Sequence, residues 1–329
     1  MKGLKGKAKS LLRHALSIAV SAALLAFVSA GADFEQLART LRAVRPGWLL
    51  LAGALLVVAD LLMALKCWVL RRSMSVRGTI LSYCRMRFFS LLPGGNITGE
   101  AARLMYLRNM TDGYVATTLM IIDKQTQMIP QQTLCLIGLA LAGARGHWIF
   151  FGLSGFTLGW ALLVPGSLFI PSARRTALRI AAWLDRLRFR WGAVAAEELR
   201  LLCGACESLA DQRGTVLAHL LLGLASDLLL IGAQMLIGHA LGFSIALTDW
   251  LWINGIVSIA MCLPFSVGGI GLREGAMTSL LALFGVQRSA GMLLPLTVSS
   301  LTLLKGLTEG AVEAVVAQRA KRRRKDKKI

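Results

Sequence analysis

Long apolar runs, rather than alternation, set the pattern of the chain. Hydrophobic stretches above the roughly 18 residues that a spanning helix needs recur along most of the sequence. The alternating segments of a transmembrane β-barrel are not seen. Backbone in the bilayer must then be helical, so the pattern predicts an all-α integral membrane protein, a polytopic helical bundle. Its predicted spans cover about residues 11–30, 48–70, 114–142, 148–170, 216–241 and 289–318.

Two further apolar regions, about residues 79–109 and 249–285, are interrupted near their middles. The first break is Leu91–Asn96 and the second is Leu263–Gly271, both rich in glycine and proline. Irregular backbone is tolerated at membrane depth only where protein or a polar cavity surrounds it. We therefore predict two re-entrant or broken helical hairpins.

The order of spans and hairpins predicts an inverted repeat. Span two, the first hairpin and span three have opposite predicted topology to span five, the second hairpin and span six. Each set begins on a span with a central aspartate, Asp60 or Asp227. Inverted repeats with broken helices are the architecture of many secondary transporters. We interpret residues 1–329 as one transmembrane domain with a first half (1–170), a connector (171–215), a second half (216–318) and a basic tail (319–329).

Composition agrees with a membrane protein. Hydrophobic residues make up 56% of the chain and charged residues 16%, with a mean hydropathy of +0.63, where a soluble chain carries about 25% charged residues. The net charge of +20 would suit nucleic acid, but the basic residues gather at the two ends and in short loops, as the positive-inside rule requires. We therefore expect no nucleic-acid partner and place both termini on the cytoplasmic side of a bacterial inner membrane. The first apolar run also resembles a signal peptide, but because many spans follow we interpret it as a retained helix.

The connector is predicted to contain a basic amphipathic helix. Such a helix suits an anionic membrane surface, and it equally suits packing on its own protein, so both interpretations stay open. The apolar face is Ile180, Trp183, Leu184, Leu187 and Trp191, and the arginines elsewhere are Arg175, Arg179, Arg186 and Arg190.

The first hairpin offers a candidate anion site. A half-helix N-terminus carries partial positive charge and binds anions, and Asn96 or Thr98 can cap one here. Glu100 and Arg103 are three residues apart and so share a face. A tight turn in which this pair is only structural is the alternative. Gly94, Gly95 and Gly99 allow close approach of backbone or ligand.

The second hairpin repeats this chemistry, with glycine backbone followed by an arginine and a carboxylate. Its likeness to a dinucleotide fingerprint is superficial, because no strand precedes it. The residues are Gly268, Gly269, Gly271, Arg273 and Glu274.

Ionisable residues inside the predicted spans are further candidates. Each charge near a helix centre costs about 2.5–3.5 kcal/mol on insertion scales, so several together predict a polar interior with partners. A substrate path and a set of structural ion pairs would look alike here. Lys66 lies near a span end, and we interpret it as snorkelling to the interface. The candidates are Asp123 and Lys124 in span three, beside Gln127 and Gln131, and Lys305 and Glu309 in span six, beside Glu313.

Catalytic, metal and nucleotide motifs are missing from the sequence. The four histidines form no metalloprotease pattern, and no Walker A sequence occurs. Cys203 and Cys206 have zinc-like spacing without the second pair that a closed site needs. We expect no catalytic residue, no metal and no cofactor.

The segments Leu91–Arg103 and Val267–Glu274 resemble the paired signature of the lysylphosphatidylglycerol synthase transmembrane family, the flippase-like membrane domains. The resemblance covers almost the whole chain and implies lipid translocation toward the outer leaflet. No acyltransferase-like domain follows span six, so we do not expect synthesis of aminoacylated lipid. The first motif falls on Gly99, Glu100 and Arg103, and the second on Gly268, Gly269, Gly271 and Glu274.

Three functional hypotheses remain. The leading one is a flippase or transporter of an anionic phospholipid or lipid-linked precursor, with the headgroup near Arg103 and Arg273. The second is a membrane enzyme on a lipid-linked substrate, with Glu100, Asp123 or Glu274 as acid or base. The third is a non-catalytic scaffold for envelope biogenesis. Membrane lipids are the expected partners, with a homo-oligomer or an envelope-biosynthesis protein as further ones.

Overall fold

The computed structural model describes residues 46–92, 95–143, 171–186, 212–261 and 272–326, with isolated positions between residues 151 and 204. Every secondary-structure element in these described ranges is a helix. In chain order these are α1 (Pro46–Leu70), α2 (Val76–Phe89), α3 (Asn96–Arg108), α4 (Gly113–Leu141), α5 (Pro171–Arg186), α6 (Arg213–Ala240), α7 (Leu247–Met261), α8 (Leu272–Ala282) and α9 (Arg288–Asp326).

The chain divides into two compact units. The first comprises residues 1–58, 81–103 and 229–329, and the second comprises residues 59–80 and 104–228. All four boundaries fall inside helices, so α1, α2, α3 and α6 each contribute one part to each unit.

Three helices of the described residues are long and apolar enough to cross a membrane: Pro46–Leu70, Gly214–Ala240 and Arg288–Val316. They match predicted spans two, five and six, and confirm an integral membrane protein. Helix α4 corresponds to span three and has 29 residues. Span one lies outside the described residues, and span four lies almost entirely outside them.

The last helix continues beyond predicted span six into the basic tail. A basic tail is predicted to begin at residue 319, yet α9 continues to Asp326. Lysine and arginine are good helix formers, and positive charge near a helix C-terminus is favoured by the helix dipole. The basic residues Lys321–Lys325 therefore prolong the helix instead of terminating it.

Helices α1 and α6 contact each other in both units, and in the second unit they run antiparallel. In the second unit the hydroxyl of Ser226 donates to the carbonyl of Ala59 at 3.0 Å, and a ring nitrogen of His219 lies 2.9 Å from the carbonyl of Lys66. In the first unit the rings of Trp48 and His239 meet edge to face, with centroids 5.3 Å apart. From Ala59 to Lys66 the contacts move toward the C-terminus of α1, while from Ser226 to His219 they move toward the N-terminus of α6.

In the first unit, α9 packs on the first interrupted region through two glycines. A β-carbon built at Gly306 would lie 3.0 Å from a methyl carbon of Leu91, and one at Gly310 would overlap the ring of Phe88. Small residues spaced by four allow membrane helices to approach closely. Helix α8 packs in turn against both α7 and α9.

Helix α5 buries a different face from the predicted one. Ala177 and Ala181, one turn apart, are completely buried, whereas Trp183 is exposed. Two residues correspond to about 200° of rotation on an α-helix, so Trp183 lies opposite Ala181. The predicted apolar face is therefore not the face that packs on the protein, and its contact with a membrane surface stays a prediction. Ile180 and Leu184 are half-buried, Arg175, Arg179 and Arg186 are exposed, and Leu187, Arg190 and Trp191 lie outside the described residues.

Candidate functional site

The first interrupted region breaks where the sequence predicts. Helix α2 ends at Phe89 and α3 begins at Asn96, while Pro93 and Gly94 lie outside the described residues. Gly95 has a φ of +53°, which glycine adopts without steric cost. Its carbonyl accepts the first main-chain bond of α3, from Gly99 at 3.1 Å. Gly95 thus holds the N-cap position, and the predicted capping by Asn96 or Thr98 is wrong.

Gly99 lies where the two arms of this hairpin come closest. A β-carbon at Gly99 would lie 2.5 Å from the main-chain oxygen of Met86 and would overlap the hydroxyl of Ser90. Real β-carbons do not approach a carbonyl oxygen so closely, so only glycine fits. The glycine of the predicted motif therefore serves the contact between α2 and α3.

Arg103 is buried beside the carboxylate that the sequence pairs with it. Its exposed fraction is 3%, and one guanidinium nitrogen lies 3.8 Å from a carboxylate oxygen of Glu100. The guanidinium carbon lies 4.0 Å from the centre of the Tyr83 ring, a stacking that stabilises a desolvated cation. The described structure therefore brings Glu100 and Arg103 together, with Tyr83 as a third member that the sequence does not reveal.

The arginine of the second interrupted region is more accessible than Arg103. Arg273, at the start of α8, is 32% exposed, and its guanidinium lies 3.4 Å from a carboxylate oxygen of Glu274. Ser299 of α9 accepts a hydrogen bond from Arg273 and donates one to Glu274 at 3.1 Å. The hydroxyl thus fixes both charged groups against α9. Gly268, Gly269 and Gly271 lie outside the described residues.

The polar side chains of span six contact other residues of the first unit. The ammonium of Lys305 lies 3.5 Å from the main-chain oxygen of Leu56, and Glu313 forms an ion pair with Arg85 of α2. Glu309, between them on this face, is half-buried. Lys305 and Glu309 therefore lie in the unit that contains Arg103 and Arg273.

Asp123 and Lys124 lie in the second unit, and their side chains differ in exposure. Asp123 is 3% exposed and Lys124 is exposed, because neighbours on a helix point about 100° apart. The partner of Asp123 is Lys66, whose ammonium lies 3.3 Å from its carboxylate and donates to its main-chain oxygen at 3.1 Å.

Lys66 is 0% exposed, so the prediction that it snorkels to the interface is wrong. A buried ammonium needs a counter-charge, and Asp123 supplies it from another helix, 57 residues further along the chain. The sequence signal that could have found this pair is that span three carries a single carboxylate, Asp123, and span two carries a single lysine, Lys66.

His219 and Thr126 complete this buried polar group. The Thr126 hydroxyl lies 2.6 Å from Nε2 of His219, while Nδ1 lies 2.9 Å from the carbonyl of Lys66. A carbonyl only accepts, so Nδ1 carries a hydrogen and donates to it. The histidine thereby joins α1, α4 and α6. His219 belongs to no metal motif of the sequence, and no local sequence signal indicates this structural role.

An apolar cavity of about 650 Å³ lies in the first unit, between parts of α1, α6 and α7. Its walls are formed mainly by tryptophan and aliphatic side chains, which suit a hydrocarbon chain better than a charged headgroup. The residues include Trp48, Leu55, Met235, Leu236 and Trp250.

No curated protein and no solved structure matches the chain at a significant level. The family model described as the lysylphosphatidylglycerol synthase transmembrane region matches residues 14–308. That range includes both broken regions and the connector, and it ends between Lys305 and Glu309 of span six. The chain therefore belongs to the lysylphosphatidylglycerol synthase transmembrane-region family.

Proposed function

We propose that the protein is a flippase or transporter that moves an anionic phospholipid, or a lipid-linked precursor, across the cytoplasmic membrane. The family is named for the membrane region of a lipid-modifying synthase, which supports a function that acts on membrane lipids. The observation that carries the proposal is Arg273, an arginine at the start of a short helix in a membrane chain, half-exposed and oriented by Ser299 and Glu274.

Arginine geometry favours a phosphate as the group that is bound. A guanidinium donates two parallel hydrogen bonds to phosphate oxygens, and Ser299 and Glu274 restrict its rotation. An arginine in a membrane interior is costly unless it has a function or a partner. Arg273 has a partner on one side and an exposed surface on the other, so a headgroup can complete its hydrogen bonds.

The two arginines have different roles in this conformation. Arg103 is enclosed by Tyr83 and Glu100, whereas Arg273 is open. In our proposal the headgroup contacts Arg273 first, and Arg103 becomes available when the first hairpin opens. The acyl tails remain in lipid or enter the apolar cavity beside α1 and α6.

Alternating access is the mechanism that we infer. The two predicted repeats each begin on one of the helices α1 and α6, and these helices are antiparallel neighbours, as inverted repeats require. Rocking of one repeat against the other would expose the headgroup site to one leaflet and then to the other. The basic connector and tail orient both termini toward the cytoplasm.

A reconstitution assay tests this function. Vesicles containing the purified protein and a labelled phosphatidylglycerol would report movement between leaflets. We expect Arg273→Ala to slow translocation about tenfold or more, because a charge-assisted hydrogen bond contributes about 1.5–3 kcal/mol. Arg273→Lys should retain part of the rate, since it keeps the charge but not the paired geometry.

Arg77→Ala is the matched control, because Arg77 is an exposed arginine on α2. This variant should move lipid at the wild-type rate. Unchanged translocation in both Arg273→Ala and Arg103→Ala would remove the proposed headgroup site. Mass spectrometry of lipids from the same vesicles separates transport from chemistry. A covalently altered lipid would favour an enzyme instead.

A further inference from the structure

Three charged side chains from three helices are buried together in the second unit. Lys66 of α1, Asp123 of α4 and Asp227 of α6 have exposed fractions of 0%, 3% and 5%. Burying an ionised carboxylate without compensation is strongly unfavourable. The group therefore needs a charge balance, and one ammonium does not match two carboxylates.

The side chain of Lys66 runs along α6 toward Asp227. A β-carbon at Gly223 would lie 3.5 and 3.6 Å from the last two methylene carbons of Lys66, so glycine makes room for the lysine there. Asp227 is four residues beyond Gly223, on the same face of α6. The stem of Lys66 therefore approaches the face of α6 that carries Asp227.

The two carboxylates are not equivalent. Asp123 lies 3.3 Å from the ammonium of Lys66. In Asp227, Oδ2 is buried and has no hydrogen-bond partner among the described residues. This oxygen therefore offers a position where Asp227 can bind a proton without rearrangement of its neighbours.

Two more titratable groups lie on the helices around Asp227. Asp60 of α1 is buried and follows Ala59, the residue whose carbonyl binds Ser226. His219 of α6 is buried between Thr126 and Lys66, and its Nε2 can take a proton. Lys124 of α4 is exposed.

We propose that Asp227 is a proton-binding site within the membrane-spanning helices. The neighbouring Lys66–Asp123 ion pair supplies the charges that stabilise the site when the proton is absent. In one state Asp227 is a neutral carboxyl. When the proton leaves, the ammonium of Lys66 is shared between Asp123 and Asp227, which stabilises the resulting carboxylate. The site takes up one proton and releases one proton, and no other bond changes.

This site goes beyond the proposed lipid transport and does not depend on it. Only its use as an energy source, with proton flow driving the headgroup across, rests on the proposed function. Proton binding can therefore be measured on the purified protein without any movement of lipid.

The direct test is infrared difference spectroscopy of the purified full-length protein over a pH titration. A protonated carboxyl absorbs at a C=O frequency distinct from that of a carboxylate, so the wild type should show a band that disappears as the pH rises. Asp227→Asn should lose this band and bind one proton fewer per chain. The control is Asp112→Asn, at an exposed aspartate preceding α4, which should keep the band.

Further variants decide the assignment. His219→Gln and Asp60→Asn should retain the band. Loss of it in either, with retention in Asp227→Asn, would overturn the assignment to Asp227. Wild-type protein without a titrating carboxyl band, in sodium-containing and sodium-free buffer alike, would remove the proton site even if a variant failed to fold. A band seen only without sodium would identify a sodium site and equally overturn the proposal.

Lipid movement then separates the two proposals. If both hold, Asp227→Asn should move lipid independently of an imposed pH gradient, while the wild type accelerates with it. A titrating Asp227 in a protein that moves no lipid would retain the proton site and reject the transport function.

Discussion

The ring of Phe88 in α2 lies directly over Gly310 in α9, so that a β-carbon built on the glycine would be 2.7 Å from Cγ of the ring. We expect Gly310→Ala to destabilise the protein by about 1–3 kcal/mol, the usual cost of overpacking. Thermal unfolding in detergent would show this as a lower midpoint. Gly214→Ala, in α6 with no atom within 4 Å of the new methyl group, should leave the midpoint unchanged. Equal midpoints in the two variants would contradict the contact.

Gly99 should tolerate no side chain for a different reason. The obstacle is partly the main-chain oxygen of Met86, which cannot turn away as a side chain can. Gly99→Ala should separate α2 from α3, at a cost of about 1–3 kcal/mol, and reduce translocation. Removing the Ser90 hydroxyl in Gly99→Ala/Ser90→Ala should restore only part of the stability, because the Met86 contact remains. Complete recovery would mean that the hydroxyl alone sets the limit.

Lys66 and Lys124 form a natural pair of probes, one buried against Asp123 and the other exposed. Lys66→Met leaves the Asp123 carboxylate without its counter-ion, which typically costs about 3–5 kcal/mol. Lys66→Met/Asp123→Asn should recover much of this, because neither partner then carries a charge. Lys124→Met should be nearly neutral. Denaturation curves of the four proteins test the pair, and similar losses for both lysines would contradict it.

Arg85 and Glu313 join α2 to α9 by an ion pair. Reversing one charge, in Arg85→Glu or Glu313→Arg, should lower the unfolding midpoint because like charges then face each other. The double reversal should recover part of it, and a double-mutant cycle measures the coupling. Additive losses in the double variant would show that the two residues act independently.

Trp183 provides a reporter for the surface of α5. If the exposed arginines of α5 lie on anionic headgroups, Trp183 should be quenched by brominated lipids in vesicles containing phosphatidylglycerol. The quenched signal should fall in Trp183→Phe, and substitution of Arg175, Arg179 and Arg186 by glutamine should reduce it as well. Quenching that is the same in the wild type and Trp183→Phe would place this helix away from the lipid.

The helices themselves follow from the apolar runs. Spans two, three, five and six lie within a few residues of their predicted ends, except at the C-terminus of α9, because a bilayer fixes both the length and the hydrogen bonding of a spanning segment. The break before Asn96 follows from proline and glycine. These signals depend only on residues that are close in the sequence, so tertiary packing does not change the helices that they predict.

The partners of the charged residues could not be predicted in the same way. Lys66 has a long stem near a span end, which is the pattern of a snorkelling lysine, and only tertiary structure brings Asp123 to it. The burial of Ala177 and Ala181 in place of Trp183 likewise depends on what α5 meets. Arg103 with Glu100 was predictable because three-residue spacing suffices, whereas the stacking of Tyr83 depends on how the hairpin closes.

The bonds from Ser226 and His219 to the carbonyls of Ala59 and Lys66 have a mechanical consequence. Two carbonyls on one helix, about two turns apart, are held by side chains of the other, so sliding between these stretches would break both bonds in a dry environment. Residues 59–66 of the first predicted repeat and 219–226 of the second should therefore stay in contact throughout any transport cycle. This contact would then be the axis about which the two repeats rock, and cross-linking these two stretches should leave the cycle running.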